Sequence, residues 1–243
     1  MDAKQDSHTH HISGQFNKDL IELKKHLLVM GGMVEKQLAS AMEALVSGNS
    51  ALAQEVRDND KEVDGMELVI DEEAIRVIAR RQPTASDLRL VISVLKMVAD
   101  VERIGDEAKK IAKLSIALTE EGQPPLGTME VRHIANHVTA MLRDALDAFA
   151  RFDTEQALAV IKEDNTVDNE YRSATRSLVT YMMEDPRSIS RCLNMMWILR
   201  ALERIGDHSE NLAEHVIFMV KGRNVRHVPL AETEKLMETG KTS

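Results

Sequence analysis

Apolar residues recur along most of this chain at the three- and four-residue intervals that build one face of a helix. Phe16, Leu20, Leu23, Leu27, Val34, Leu38, Met42 and Leu45 draw the first stripe, and they predict a helix from near Ser13 or Asn17 to Ser47. Leu52, Val56, Val63, Met66, Ile70 and Val77 draw a second, from Ala51 to Gln82, and Val91, Leu95, Val98, Val101, Ile104, Ala108 and Ile111 a third, ending near Glu120. A fourth helix is expected over Met129–Arg151, a fifth over Thr154–Glu184, and a sixth over Arg187–Lys221 with Trp197, Leu202, Ile205, Leu212, Val216 and Met219 facing the core. The breaks fall where backbone chemistry asks for them. Ser47-Gly48-Asn49-Ser50 ends one helix and caps the next. Pro83 stops the second helix, and Thr84 or Ser86 with Asp87 starts the third. Asp185-Pro186 supplies a cap followed by proline at the first helical position. Gly31-Gly32, within the first helix, marks either a weak point or a place of close packing.

Six such helices with short turns predict an all-α fold: two tandem three-helix bundles of antiparallel long helices, related by an internal repeat. Helices of about 35 residues would be about 50 Å long. The expected boundaries are a flexible tail over 1–14, a first unit over 15–121, a linker over 122–127, a second unit over 128–222 and a loosely held tail over 223–243. Composition agrees: 43% hydrophobic residues with only 3% aromatics and 14 Met suits helices packed by aliphatic side chains more than a β-core. A net charge of −9 argues against direct nucleic-acid binding. No apolar run approaches the roughly 20 residues that span a bilayer. The chain opens on Met-Asp-Ala-Lys-Gln-Asp without a secretory pattern. A single cysteine, Cys192, reads as a small core residue, and the expectation is a reduced, cytoplasmic protein. His8, His10 and His11 make a cluster that is able to capture Ni or Zn but reads as part of a mobile tail.

The chemistry concentrates in a repeat. Glu102-Arg103-Ile104-Gly105-Asp106 recurs as Glu203-Arg204-Ile205-Gly206-Asp207. Each copy follows a pair of aspartates spaced by four, Asp60 and Asp64 in the first half and Asp164 and Asp168 in the second. Side chains at i and i+4 share a helix face, and like charges there repel unless a cation intervenes. Two such helices side by side bring four carboxylates toward one point, a donor set for hard cations such as Mg, Ca, Mn or iron. A glycine inside each motif costs about 1 kcal/mol relative to alanine, which points to close approach of another helix or a ligand. The competing reading is structural: Arg103, Arg204 and Lys110 would neutralise the acids with no metal. Lys110 stands where the second unit has Asn211, so the two sites need not be equivalent. Asp58-Asn59-Asp60 with Gly65 has the wrong register for a calcium loop. A di-iron enzyme would need two Glu-x-x-His motifs; the chain offers Glu130 to His133, outside the repeat, and this reads as a surface coincidence. No P-loop or nucleophile–base pair supports a phosphatase.

Beyond the repeat, His11-Ile12-Ser13-Gly14-Gln15-Phe16, the turn Arg80-Arg81-Gln82-Pro83-Thr84-Ala85-Ser86-Asp87-Leu88-Arg89, Tyr181-Met182-Met183-Glu184-Asp185, Val220-Lys221-Gly222 and Arg226-His227-Val228 complete a pattern that closely resembles the PhoU family over residues 11–228. The resemblance implies two three-helix bundles, often dimeric, in a cytoplasmic negative regulator of phosphate uptake and of the phosphate regulon. It implies a non-enzymatic adaptor between the ATPase subunit of a phosphate ABC transporter and a membrane sensor histidine kinase, reaching the membrane only through those partners. It further implies metal ions (iron, zinc, manganese or magnesium) held by Asp60, Asp64, Glu102 and Asp106 in the first unit and by Asp164, Asp168, Glu203 and Asp207 in the second. The alternatives are a carboxylate-bridged metalloenzyme on a helical bundle and a purely structural scaffold.

Overall fold

The computed structural model describes residues 3–122, 126–226 and 228–238, with the backbone alone for residues 3–15, for Arg81 and for residues 237–238. Six long helices follow the expected order: α1 (Ala3–Ser47), α2 (Ser50–Arg81), α3 (Ala85–Glu120), α4 (Thr128–Arg151), α5 (Thr154–Glu184) and α6 (Ile189–Lys221). A single 3-10 turn over Pro186–Ser188 leads into α6, and a short α7 (Leu230–Glu238) follows it. No strand occurs among the described residues.

The caps act as their residue types dictate. Gly48 takes φ +64° and Asn49 caps α2, its side chain accepting from the Leu52 amide at 3.1 Å. Asp153 accepts from the amides of Glu155 and Gln156 to start α5. The Asp185 carboxylate accepts from the Arg187 amide, so Pro186 opens the 3-10 turn. Gly222 closes α6 at φ +68° with its amide on the Phe218 carbonyl. Thr84 precedes α3 without a side-chain cap bond, so that start rests on backbone geometry.

Three expectations change. Helix α1 runs from Ala3, so among the described residues no break falls at the expected boundary of 14–15; no proline interrupts that stretch, and Gly14 alone does not stop a helix. The side chains of His8, His10 and His11 lie outside the described residues. The described residues after 222 are held rather than loose. Val225 and Thr233 are buried, Arg226 Nε lies 3.6 Å from Glu214, and Lys162 Nζ lies 2.5 Å from Glu234 across α5 and α7. His227 is outside the described residues. Trp197 does not face the core: it is 56% exposed, beneath Lys110, whose Nζ lies 5.8 Å from its ring. The buried stripe at that level is Met195, Ile198, Leu199 and Leu202, and Trp197 falls between its rows.

Each unit packs its three helices around an aliphatic centre, and the two units join through α3 against α6, with α1 against α4 beside them. Gly31 serves the α1–α4 contact, since a Cβ there would lie 2.6 Å from Leu146 Cδ2, while Gly32 faces open space. The doublet is therefore a close-packing site in an unbroken helix. The α3–α6 seam carries a polar knot: Asp100 meets His208 Nδ1 at 2.9 Å, His215 Nε2 at 3.5 Å and the Asn211 amide nitrogen at 3.1 Å. Burial acts to raise the Asp100 carboxyl, but hydrogen bonds to both histidines outweigh it and hold the group at about 2. Cys192 is fully buried, as a core residue would be.

Candidate metal centre

The two repeats place their acids at equivalent points, α2 against α3 in the first unit and α5 against α6 in the second. The motif glycines lie in these seams. A Cβ on Gly105 would meet Gln37 Oε1 at 3.3 Å and Val63 at 3.5 Å, and one on Gly206 would meet Asp164 Oδ1 and Val167 at 3.4 Å. Both glycines thus lie in the seam with the aspartate-bearing neighbour, where a Cβ would reach about ordinary van der Waals contact.

In the first unit Asp60 is only 2% exposed. A buried carboxylate needs partners, and it has two: Gln37 donates to Oδ1 at 2.8 Å and the Lys109 ammonium to Oδ2 at 2.5 Å. Asp64 is exposed. Arg103 lies 3.5 Å from both Glu102 and Asp106, and so supplies the pairing that a structural reading asks of it. Burial, then the neighbouring Asp106, pushes the Glu102 carboxyl upward. Glu67, which the motif spacing did not mark, joins this group and is raised by burial and by Asp71, Asp64 and Asp106. The lysine that enters the site is Lys109, not Lys110. Glu102, Asp106 and Lys109 stand at i, i+4 and i+7 on one face of α3. Lys110 is one step around the helix, where it pairs with Glu107 at 3.2 Å.

The second unit inverts that arrangement. The residue three places after its motif is Glu210, where the first unit has Lys109. Asp164, in the place of Asp60, is pushed up to about 7 by burial and then by Glu210, Asp207 and Asp168. Glu203 rises to about 7 through burial and Asp207, against the opposing pull of Arg200. Glu210 rises to about 7 through burial and then Glu214, Asp207 and Asp168. Asp207 is raised as well, chiefly by burial. Arg200 pairs with Glu203 Oε1, and Arg172 reaches Asp168 at 2.6 Å. Glu203 Oε2 is buried with no hydrogen-bond partner. Arg204 leaves its own unit and pairs with Glu107 at 2.8 Å, and Asn211 turns to Asp100. Neither pairs directly with the motif acids; Arg204 acts on Asp207 only through its charge.

A hard cation therefore fits the second unit better than the first. Five carboxylates there have all-oxygen donors, mutual repulsion and one buried oxygen lacking a partner, whereas Lys109 already places a positive charge in the first. No three of these acids bring ligand oxygens within 4.8 Å of one another. Among the described residues, the set of donors that does converge so closely is His133, His137 and Glu170, on α4 and α5. Motif spacing did not reveal that set, because its members come from two helices whose register only the packed fold defines.

A family model described as "PhoU domain" matches twice, over residues 27–115 and 131–216, and the two matches enclose all eight motif acids. The chain is 56% identical over 237 residues to a phosphate-specific transport system accessory protein PhoU homolog of Pseudomonas aeruginosa, covering 98% of both chains. It is 46% identical over 234 residues to the phosphate-specific transport system accessory protein PhoU of Escherichia coli, covering 96% of both. The crystal structure of PhoU from Pseudomonas aeruginosa superposes with a TM-score of 0.84 at 58% identity, covering 86% of this chain and 100% of that one. The phosphate transport system regulatory protein PhoU from Streptococcus pneumoniae superposes with a TM-score of 0.80 at 27% identity, covering 86% of this chain and 99% of that one.

Proposed function

Because this chain belongs to the PhoU family, we propose that it is a metal-binding negative regulator of phosphate uptake and of the phosphate regulon. On this reading it works as an adaptor, without catalysis of its own, between the ATPase subunit of a phosphate ABC transporter and a membrane sensor histidine kinase. Its relatives are named as accessory proteins of a phosphate-specific transport system. Among the described residues no helix is long and apolar enough to cross a membrane, which suits contact with the membrane through partner proteins on the cytoplasmic side. Elongated helices leave apolar side chains outside, among them Leu68 and Ile75 on α2 and Met183, Leu193 and Trp197 at α5 and α6. Such residues suit partner contacts, including those of a homodimer.

The observation that carries the metal assignment is the replacement of Lys109 by Glu210 between otherwise matching repeats. One unit carries its own cation against the buried aspartate; the other adds a further acid and calls for a cation from outside. Asp164, Asp168, Glu203 and Asp207 would hold that ion, with Glu210 beside them. Asp60, Asp64, Glu102 and Asp106 would hold one less tightly, in competition with Lys109. A bound cation would neutralise the array, draw α5 and α6 together and set the charge that a partner meets on this face.

The test is made in a bacterium lacking its own copy, with a phosphate-regulon promoter as reporter under abundant phosphate. The parent gene is expected to repress the reporter, and a Glu203→Gln/Asp207→Asn variant to lose most of that repression while being present at equal level. Full repression by the variant contradicts a regulatory role for the array. Failure of the parent to repress contradicts the regulator reading itself.

A further inference from the structure

The convergent donors on α4 and α5 belong to neither carboxylate array. His133 and His137 stand at i and i+4, so their rings share one face of α4, with centroids 4.6 Å apart. Glu170 on α5 reaches between them. Its Oε1 lies 3.0 Å from His133 Nε2 and its Oε2 lies 3.2 Å from His137 Nδ1. A second carboxylate, Glu163, has Oε1 at 3.7 Å from His137 Nδ1. Two of the facing atoms, His137 Nδ1 and Glu170 Oε2, are buried and make no hydrogen bond. Buried polar atoms that make no hydrogen bond are uncommon and ask for a physical reason. The His133 side chain is 63% exposed, so the group opens to solvent on one side and is closed by the helices on the other.

We propose that His133, His137 and Glu170 form a second, chemically distinct metal site, selective for a borderline divalent ion of the zinc type. Two imidazoles and one carboxylate, with one position open to water, make a donor set that four-coordinate zinc accepts. Glu163 is placed to fill or to guard the fourth position. Imidazole nitrogen favours Zn, Ni and Cu over Mg, Ca and Mn, which prefer oxygen. The two sites of this unit therefore sort metals by class, hard ions to the carboxylates between α5 and α6, borderline ions to the histidines between α4 and α5. Helix α5 contributes to both. Zinc at the histidines would pin α5 to α4 and thereby fix one wall of the carboxylate array.

The experiment uses the full chain with His8, His10 and His11 each replaced by Asn, so that the N-terminal cluster binds nothing, and with no affinity tag. Zn2+ is titrated calorimetrically in the presence of excess Mg2+, and Co2+ is added separately as a spectroscopic probe. The expected result is one tight Zn2+ equivalent that Mg2+ does not displace, with the visible absorption of tetrahedral Co2+. His133→Ala and Glu170→Gln should each weaken Zn2+ binding by at least roughly ten-fold and remove the Co2+ bands, which a purely structural role would not do. A comparison variant, Asp164→Asn/Asp207→Asn, should bind Zn2+ as the parent does. Because His133 is exposed, its substitution tests ligation in a folded protein, verified by an unchanged helical circular dichroism melt. The proposal is overturned if the parent binds no Zn2+ under Mg2+, if the His133 and Glu170 variants bind it unchanged, or if binding is lost instead in the carboxylate variant.

Discussion

In metal-free protein, stability should fall as pH rises from about 4 to about 7, and Glu210→Lys should remove the part of that fall due to Glu210 itself and to its charge beside Asp164. Asp164, Glu203, Glu210 and Glu214 are each held at about 7 in the folded chain, against ordinary values of 3.8 for Asp and 4.5 for Glu. Between those limits the folded protein keeps protons that the unfolded chain has released. Each such group therefore destabilises the fold progressively across the window, and its penalty is complete above the folded value. Asp100 acts in the opposite sense: held at about 2, it contributes fully above about 4 and loses its contribution as pH falls through 2. Glu210→Lys removes one like charge beside Asp164 and supplies the ammonium that Lys109 supplies to Asp60. Asp164 is half-buried, so solvent screens part of the effect, and a gain on the order of 2 kcal/mol at pH 8 is expected. That corresponds to a melting temperature higher by roughly 4–8 °C for a chain of this size. The gain should be small at pH 4.5, where the acids are largely protonated, and hard cations should no longer stabilise the variant. Thermal melts across the pH range, with and without Mn2+, check all three outcomes. An equal gain at both pH values would contradict the electrostatic account.

The second large effect is the reciprocal one. Lys109→Ala leaves Asp60, 2% exposed, with Gln37 as its remaining partner, and an unpaired buried charge is strongly destabilising. Removing one partner of a buried pair costs about 3–5 kcal/mol. The Lys109 side chain is 43% exposed, so water recovers some of this, and about 2–3 kcal/mol is expected near neutral pH. The loss should be relieved in either of two ways. Adding Asp60→Asn removes the charge, and the double variant should be more stable than Lys109→Ala alone. Supplying a hard cation replaces the ammonium, and the Lys109→Ala protein should bind it in the first unit more tightly than the parent does. Denaturant unfolding of the single and double variants, with and without metal, provides the comparison. If Lys109→Ala is as stable as the parent, Lys109 is not the internal cation of the first site.

Much of this architecture was legible in the chain. Helical periodicity, Gly and Pro punctuation and the repeated pentapeptide located six helices and the internal repeat. The inference that Gly105 and Gly206 mark close approach also follows directly from the missing side chain, since only a close neighbour makes a helical glycine worth its cost. What escaped depends on rotation about a helix axis or on register between helices. Lys109 and Lys110 differ by one residue, hence by about 100° around α3, and that step decides whether an ammonium reaches Asp60 or Glu107. Trp197 moved from the core to the surface for the same reason. Glu210 was visible in principle, because aligning the two repeats puts it opposite Lys109. A spacing of four from Asp207 falls on Asn211, opposite Lys110, and passes over Glu210. His133 and His137 stand at i and i+4 on α4, but Glu170 comes from α5, outside the repeated motif, and no local spacing joins it to them. α7 and the buried Val225 hold the end of the chain through contacts with distant elements, which a local pattern does not record.

The claim beneath these expectations is that two similar repeats have diverged into a site that carries its own cation and a site that needs one. The most direct measurement is a calorimetric titration of Mn2+ at pH 7.5 into the parent, an Asp60→Asn/Asp106→Asn variant and an Asp164→Asn/Asp207→Asn variant. The account predicts that the tightest binding event persists in the first variant and disappears in the second. Loss of that event in the first variant, with retention in the second, would contradict it, as would equal binding by all three proteins.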